Sequence, residues 1–177
     1  MFLFIVAIVV PFVFALSIIF WTLKNKISPM PSSLSMRKTF FKSLDLDFTG
    51  KNVVDLGSGW GHLVVGMAKK YPGSRVTGYE NSLLPFLFAF FLKGKLSLRL
   101  LWQDFFKADL TEQDVVLCYL CPYSMKKLAP KFLKELKEGS TIISLVFALP
   151  GWKASRVVYA NDLYKSPIYF YEKNGQT

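Results

Sequence analysis

The chain divides into two parts that differ in how apolar and polar residues are arranged. Residues 1–23 contain no charged side chain, and all 22 basic and 12 acidic residues lie beyond them. From about residue 52 onward, short apolar runs alternate with segments in which apolar residues recur every three or four positions. The first part predicts one long apolar helix. The second predicts a domain in which strands and helices alternate.

The apolar segment from Phe2 to Leu23 is long enough to cross a bilayer. As a helix its 22 residues would span roughly 33 Å, and a hydrocarbon core is about 30 Å thick. No basic residue precedes the segment and no small-x-small site follows it, which argues against a cleaved signal peptide. We therefore predict an uncleaved transmembrane anchor over residues 1–23, embedded in the lipid bilayer through residues 2–23.

Basic residues follow this segment, whereas no charged residue precedes it. The positive-inside rule then places the N-terminus outside and the remaining chain on the cytosolic face, or on the matrix face of an organelle. A net charge of +10 beside an anchor suits an anionic lipid surface, so no nucleic-acid partner is expected. The basic residues concerned are Lys24, Lys26, Arg37, Lys38 and Lys42.

Residues 24–34 contain two prolines and three serines and predict a linker, and residues 35–177 predict a single domain. Its alternating elements predict an α/β fold with a Rossmann-like, doubly wound and mostly parallel seven-stranded sheet. The predicted strands are Asn52–Leu56, Arg75–Tyr79, Leu96–Trp102, Asp114–Leu120, Thr141–Phe147, Ser155–Tyr159 and Pro167–Glu172. The predicted helices are Ser35–Leu44 with Ser35 as its cap, Gly61–Tyr71, Leu83–Lys93, and Ser124–Lys137 with an interruption at Pro130.

Two features of this domain allow more than one interpretation. The segment Leu83–Leu92 is apolar on every side and too short to span a bilayer, so we interpret it as a buried helix that covers the sheet. The alternative is a helix face that rests on lipid. Cys118 and Cys121 have redox or zinc spacing, but they lie in an apolar run typical of a buried strand. Because His62 is the sole histidine, no metal site is expected.

The segment Asp55–Gly61 follows a predicted strand, is rich in glycine and opens a predicted helix. This arrangement exposes backbone amides to a ligand. Glu80 and Asp104 end the next two strands, so three carboxylates are expected to converge at one edge of the sheet. Taken singly, Asp55 and Asp104 could equally cap a turn, and Glu80 could equally be a solvated strand end. A dinucleotide fingerprint requires a small residue where His62 stands, which argues against NAD.

The pattern D-x-G-x-G-x-G at Asp55–Gly61, together with Glu80, resembles the first two motifs of the seven-strand S-adenosylmethionine-dependent methyltransferases. The apolar segment, the proline-serine linker and three further motifs are similar to those of the small membrane-anchored lysine methyltransferases. The known substrates of that family include the ATP synthase c subunit and the adenine nucleotide translocase. The three motifs are Gly78–Asn81, Asp104–Lys107 and Phe147–Trp152.

The resemblance implies S-adenosylmethionine as the cofactor. It implies that Asp55 and the glycine loop line the methionine portion, that Glu80 holds the ribose, and that Asp104 with Phe105 meets the adenine. The implied cofactor-binding residues are Asp55, Gly57, Ser58, Gly59, Gly61, Glu80, Asn81, Asp104 and Phe105.

The expected activity is the methylation of a lysine in a membrane protein. Methyl transfer from a sulfonium needs alignment and exclusion of water, so no catalytic triad is expected. The end of the fourth strand supplies candidates for the substrate pocket, although these residues could equally be a plain strand end and helix start. One alternative is a lipid or small-molecule methyltransferase, and another is a noncatalytic membrane scaffold with a degenerate fold. The pocket candidates are Tyr119, Cys121, Pro122 and Tyr123.

Overall fold

The computed structural model of the chain describes residues 2–25 and 31–174, with the side chains of only part of the first helix. Five helices and seven strands follow one another in the described residues. The helices are α1 (Phe2–Asn25), α2 (Leu34–Ser43), α3 (His62–Lys70), α4 (Leu83–Lys93) and α5 (Pro122–Glu135). The strands are β1 (Asn52–Leu56), β2 (Arg75–Glu80), β3 (Arg99–Trp102), β4 (Val115–Cys118), β5 (Thr141–Leu145), β6 (Arg156–Tyr159) and β7 (Pro167–Glu172).

The strands form one sheet in the order β3-β2-β1-β4-β5-β7-β6. Strands β1 to β5 are parallel, whereas β7 runs antiparallel to β5 and β6 runs antiparallel to β7. The prediction of a mostly parallel, seven-stranded sheet is therefore confirmed. The strand order reverses between the neighbours β1 and β4, and open α/β sheets bind their ligands at the carboxyl side of such a reversal.

The central strands are buried because successive side chains point to opposite faces and both faces are covered. In β1, Val53 belongs to the core on the side of α2 and α3, and Val54 belongs to the core on the side of α5. The same alternation separates Leu117 from Cys118 in β4. A strand that is buried on both faces consists mostly of apolar residues. The sequence predicted these strands for that reason.

Several predicted element ends were wrong, for local reasons. The side chain of Ser33, not Ser35, caps α2 by accepting the Met36 backbone N–H at 3.1 Å. Helix α5 starts at Pro122 and continues through Pro130, because apolar packing along the helix offsets the hydrogen bond that proline cannot donate. Strand β5 stops at Leu145, before a residue with positive φ. Strands β3, β4 and β6 are between one and three residues shorter than predicted.

Helix α4 differs most from its prediction as a buried helix. Within it only Pro85 and Ala89 are buried, and the large apolar residues are exposed. The helix packs closely through these two small residues, and a Cβ atom on Gly61 would lie 2.7 Å from the Cβ of Ala89. The exposed residues are Leu83, Leu87, Phe88, Phe90, Phe91 and Leu92.

Helix α1 includes the predicted anchor and contacts α4. Among the residues that the structure describes, no helix is both long enough and apolar enough to cross a membrane. Of the predicted linker, residues 26–30 lie outside the described part of the chain.

Helices α2 and α3 pack so closely at Gly66 that we expect an alanine there to destabilise the domain. In an open helix, replacing glycine with alanine stabilises by about 1 kcal/mol. A Cβ atom at Gly66 would instead overlap the ring of Phe41 in α2. Gly66→Ala should therefore lower the thermal unfolding midpoint, whereas the same change in a Phe41→Ala background should raise it. A Gly66→Ala protein more stable than wild type would contradict this packing.

Candidate active site

A cavity of about 590 Å³ opens at the carboxyl ends of the five parallel strands. Its size lies in the range of small-molecule sites, about 300 to 1,000 Å³. The structure brings most of the predicted site residues together here. The residues that line the cavity are Asp55, Gly57, Ser58, Gly59, Glu80, Asn81, Asp104, Phe105, Tyr119 and Tyr123, whereas Gly61, Cys121 and Pro122 do not.

The glycine loop after β1 is fixed to the end of β2 by backbone hydrogen bonds. The Ser58 N–H donates to the Tyr79 carbonyl at 2.8 Å, and the Gly59 N–H donates to Oε2 of Glu80 at 2.8 Å. Within the loop, the Gly61 N–H donates to the Ser58 carbonyl at 2.9 Å. These bonds fix the position of the loop before any ligand binds.

Glu80 has a second backbone partner besides the loop. Its Oε1 accepts the Ser82 N–H at 2.6 Å, just before α4 begins, and the residue is only 7% exposed. A carboxylate oxygen can accept two hydrogen bonds, so each oxygen retains capacity for a ligand hydroxyl. Glu80 therefore organises the site and can also contact what binds there.

Asp55 is the most strongly perturbed carboxyl of the cavity. It is 2% exposed, and its Oδ2 has no hydrogen-bond partner. Burial first, and then the charge of Glu80, raise the pKa of Asp55 to about 7, although the backbone N–H of Val64 lowers it in part. The hydroxyl of Ser58 is also buried without a partner. Two unsatisfied polar groups at one cavity fit a ligand that carries N–H and O–H groups.

The three glycines of the loop have different roles. A Cβ atom on Gly57 would lie 2.8 Å from Leu120, and one on Gly61 would press on Ala89, so both allow close packing. A Cβ atom on Gly59 would meet nothing nearer than a backbone oxygen at 3.9 Å, so Gly59 faces the open cavity. All three have positive φ, which glycine adopts without strain.

Asp104 and two aromatic rings form the wall beyond β3. The Oδ1 of Asp104 accepts the Phe106 N–H at 3.0 Å and caps the 3-10 helix Phe105–Lys107. Asp104 therefore caps a turn, as the alternative interpretation predicted, and it also lines the cavity. The rings of Phe105 and Phe106 lie next to one another, with centroids 4.5 Å apart. A carboxylate beside aromatic faces suits a heteroaromatic ligand that has N–H donors.

The end of β4 contributes only part of what the sequence suggested. Tyr119 and Tyr123 line the cavity, and burial followed by the charge of Asp162 raises the pKa of Tyr119. Cys121 instead precedes α5, with its Sγ 3.6 Å from the Ser124 hydroxyl, and Pro122 occupies the first turn of that helix. Among the described residues, no group of three potential metal-ligating side chains occurs.

Sequence reasoning missed the strained turn that forms the wall after β5. Val146 has a φ of 72°, which is rare for a β-branched residue, and the Phe147 N–H donates to the Leu145 carbonyl across it at 2.9 Å. The buried Ser144 hydroxyl donates to the Phe147 carbonyl at 2.6 Å. Val146 and Phe147 line the cavity. No residue pattern predicts a positive φ at a valine.

A lysine at the cavity was also missed. The Nζ of Lys127 lies 4.6 Å from the ring centroid of Tyr123 and 5.4 Å from that of Phe106. The four-residue spacing of Tyr123 and Lys127 on α5 was the signal that could have revealed it. The other lining residues that were not among the predicted site residues are Pro31, Ser32, Trp60, His62, Leu63, Ser82, Phe106, Leu120 and Ser124.

Comparisons with known proteins identify methyltransferases as relatives of this chain. The sequence profile of the ANTKMT methyltransferase domain matches residues 55–156, more than half of the chain. A protein-lysine N-methyltransferase from Saccharolobus islandicus is 30% identical over 116 residues, which cover 62% of this chain and 71% of that protein.

Solved structures share the fold. An RNA methyltransferase from Salinibacter ruber, in complex with S-adenosyl-L-homocysteine, superposes with a TM-score of 0.73 at 26% identity, covering 84% of this chain and 96% of that one. A putative methyltransferase from Escherichia coli superposes with a TM-score of 0.66 at 16% identity, covering 83% and 89%.

Gly59 provides a test of whether the cavity holds such a ligand. We expect Gly59→Val to weaken binding of S-adenosyl-L-homocysteine by at least about tenfold, because the new side chain fills the cavity. The matched control is Gly50→Val, since Gly50 also has positive φ with open space around it and lies at the opposite end of β1. Calorimetry should show weakened binding only for Gly59→Val, with similar losses of thermal stability. If both variants bound S-adenosyl-L-homocysteine equally well, the ligand would not bind in this cavity.

Asp55 predicts a pH dependence of stability. Its pKa is about 7 in the folded protein against an ordinary value of 3.8, so the folded state binds more protons than the unfolded state between these values. The free energy of unfolding contributed by this group therefore falls as pH rises from about 4 to about 7, by a few kcal/mol.

Asp55→Asn removes this contribution. Denaturant unfolding at several pH values should show wild type losing stability relative to Asp55→Asn across that interval. Parallel pH curves for the two proteins would contradict the raised pKa.

Proposed function

Because the chain belongs to the ANTKMT methyltransferase domain family and is an S-adenosylmethionine-dependent methyltransferase, we propose that it methylates lysine side chains of a membrane protein. Membership of an enzyme family, together with the intact glycine loop, leaves no support for the noncatalytic scaffold. The observation that carries the lysine proposal is the ammonium group of Lys127, which already lies over two aromatic rings of the cavity.

S-adenosylmethionine, when bound, supplies a methyl group on a sulfonium that a neutral amine can accept. The unsatisfied Asp55 carboxyl and Ser58 hydroxyl, with Glu80 and Asp104, are the polar groups of this chain that would hold it. These groups lie on strand ends and loops fixed by backbone hydrogen bonds, so the fold itself would orient the cofactor. Such orientation is the main contribution that a protein makes to this transfer.

The lysine substrate must reach the cavity as a neutral amine. The aliphatic stem of a lysine that enters beside Tyr123 and Phe106 packs against aromatic rings, next to the ammonium group of Lys127. The positive charge of Lys127 and the loss of water both disfavour a second cation, which lowers the pKa of the entering amine. The same wall therefore binds the aliphatic stem of the substrate and promotes loss of its proton.

Lysine is favoured over a nucleic-acid substrate by two observations. The relative from Saccharolobus islandicus is a protein-lysine N-methyltransferase by name, at 30% identity. At the end of β4, Cys121-Pro122-Tyr123 lacks the acidic or amide residue and the second proline of the loop used by amine-directed nucleic-acid methyltransferases. The relative from Salinibacter ruber is named an RNA methyltransferase, so RNA is tested as an alternative substrate below.

The membrane part of the proposal rests on the charge-free segment Phe2–Leu23 and on its continuous helix α1. Eight residues separate α1 from α2, so the two helix ends lie within roughly 30 Å of one another. Pro31 and Ser32, at the end of this connection, line the cavity. The anchor would thus hold the cavity near the bilayer, with the N-terminus outside and the domain on the cytosolic or matrix face.

A lipid or small-molecule amine is the second candidate substrate. It is favoured by the contact of Trp60, a cavity residue, with Phe88 on the exposed side of α4, where the ring centroids are 5.4 Å apart. An amphipathic amine could reach the cavity along this apolar edge. The chemistry at the amine would be the same, so the test has to identify the methylated molecule.

Isotope-labelled methyl transfer in membranes tests the proposed function. Membranes from cells that lack the protein are incubated with labelled S-adenosylmethionine and the full chain, and proteins, lipids and RNA are analysed separately by mass spectrometry. We expect label on lysine of a membrane protein. Deletion of residues 1–23 should lower this methylation by at least about tenfold, because tethering raises the effective concentration, while cofactor affinity stays unchanged.

Gly59→Val serves as the inactive control in this assay. Label in the lipid or RNA fraction without methyl-lysine would overturn the lysine proposal. An unchanged rate after deletion of residues 1–23 would overturn the role of the anchor.

A further inference from the structure

An ordinary sheet-covering helix buries its large apolar residues, whereas helix α4 exposes most of them. It buries the small residues Pro85 and Ala89 and exposes a row of large apolar ones. We call the exposed set, Leu83, Leu87, Phe88, Phe90, Phe91 and Leu92, the α4 surface. Phe91 is 79% exposed. A contiguous apolar patch of this kind marks an interaction site on a folded protein.

The packing against the glycine loop fixes this orientation of α4. A Cβ atom on Gly61 would lie 2.7 Å from Ala89, so no larger side chain fits between the loop and the helix. Rotating α4 to bury its phenylalanines would drive them into the loop. The α4 surface is therefore a constant feature of the folded domain.

The charged residues that follow the α4 surface along the chain are all basic. No acidic residue occurs between Glu80 and Asp104, whereas Lys93, Lys95 and Arg99 all follow the apolar part of the helix. The Nζ of Lys93 lies 5.7 Å from the ring of Phe90 and donates to the Leu98 carbonyl at 2.9 Å. Apolar residues followed along the chain by a cluster of basic ones match the interface of an anionic bilayer.

The α4 surface is continuous with the cavity and with α1. The ring of Phe88 contacts Trp60, which lines the cavity, and α1 contacts α4. On the other side of α4, Trp102 is exposed and donates its indole N–H to the Asn81 carbonyl at 2.9 Å. Tryptophan prefers the headgroup region of a membrane.

We propose that the α4 surface docks into the headgroup and acyl boundary of an anionic lipid bilayer and holds the Trp60 side of the cavity against it. This proposal rests on the proposed function, because it takes the substrate to lie in the same membrane. It adds a second membrane contact beside that of α1. Together with the contact between α1 and α4, this second contact sets which side of the catalytic domain faces the bilayer.

Photocrosslinking of the full chain in vesicles tests this contact directly. The photoreactive residue p-benzoylphenylalanine replaces Phe91, and in a second protein it replaces Glu112. Glu112 is exposed at the amino ends of the strands, opposite the cavity, and is the matched control. The vesicles contain phosphatidylcholine and phosphatidylglycerol, and mass spectrometry of the labelled peptides identifies the adduct.

We expect at least about tenfold more phospholipid adduct at position 91 than at position 112, because only the docked side chain meets acyl C–H groups. Equal adduct at both positions, or no adduct at position 91, would overturn the proposal. An adduct to a second protein at position 91 would also overturn it, since the α4 surface would then be a protein interface. A separate sedimentation assay of the chain with the vesicles tests the α1 anchor. It therefore distinguishes failure of this proposal from failure of the anchor.

Discussion

The buried carboxylate of Glu80 accepts backbone amides from two different elements, and the site depends on this pair of hydrogen bonds. One amide belongs to Gly59 in the loop after β1, and the other belongs to Ser82 at the start of α4. Hydrogen bonds to a buried charged acceptor contribute about 1.5 to 3 kcal/mol each, and losing the acceptor leaves both donors unsatisfied. Glu80 therefore joins β2, the glycine loop and α4 into one unit. The position of α4, and with it the exposed apolar residues, follows from the same unit.

This arrangement has an electrostatic cost at Asp55. Burial disfavours the charged form of this carboxyl, and repulsion from Glu80 at the adjacent strand end adds to the penalty, so the pKa of Asp55 is raised. Glu80 is compensated by two amides, whereas the Oδ2 of Asp55 has no partner. A ligand that supplies donors to Asp55 relieves this cost, which is one physical reason for the site to be ready for a ligand.

The sequence predicted what depends on local pattern. Mostly apolar runs predicted β1, β4 and β5, because strands covered on both faces are apolar at most positions, and the spacing of glycines predicted the loop after β1. It could not predict what depends on packing between distant elements. The exposure of Phe91 follows from the contact of Ala89 with Gly61, and the continuity of α5 through Pro130 follows from its buried face. Lys127 lines the cavity because α5 begins shortly after β4 ends.

The strained turn at Val146 ties the site to the far end of the chain. The Val146 N–H donates to the Pro167 carbonyl at 2.8 Å, and the Leu149 N–H donates to the Tyr171 hydroxyl at 2.8 Å, so β7 restrains the turn from outside the cavity. Strain of this kind costs on the order of 1 to 3 kcal/mol and persists only while its surroundings enforce it. The antiparallel pair β6 and β7 is therefore coupled energetically to the substrate wall, although none of the residues in these two strands lines the cavity. A change in β7 therefore reaches the cavity wall through Val146 and Phe147, even though β7 lies outside the site.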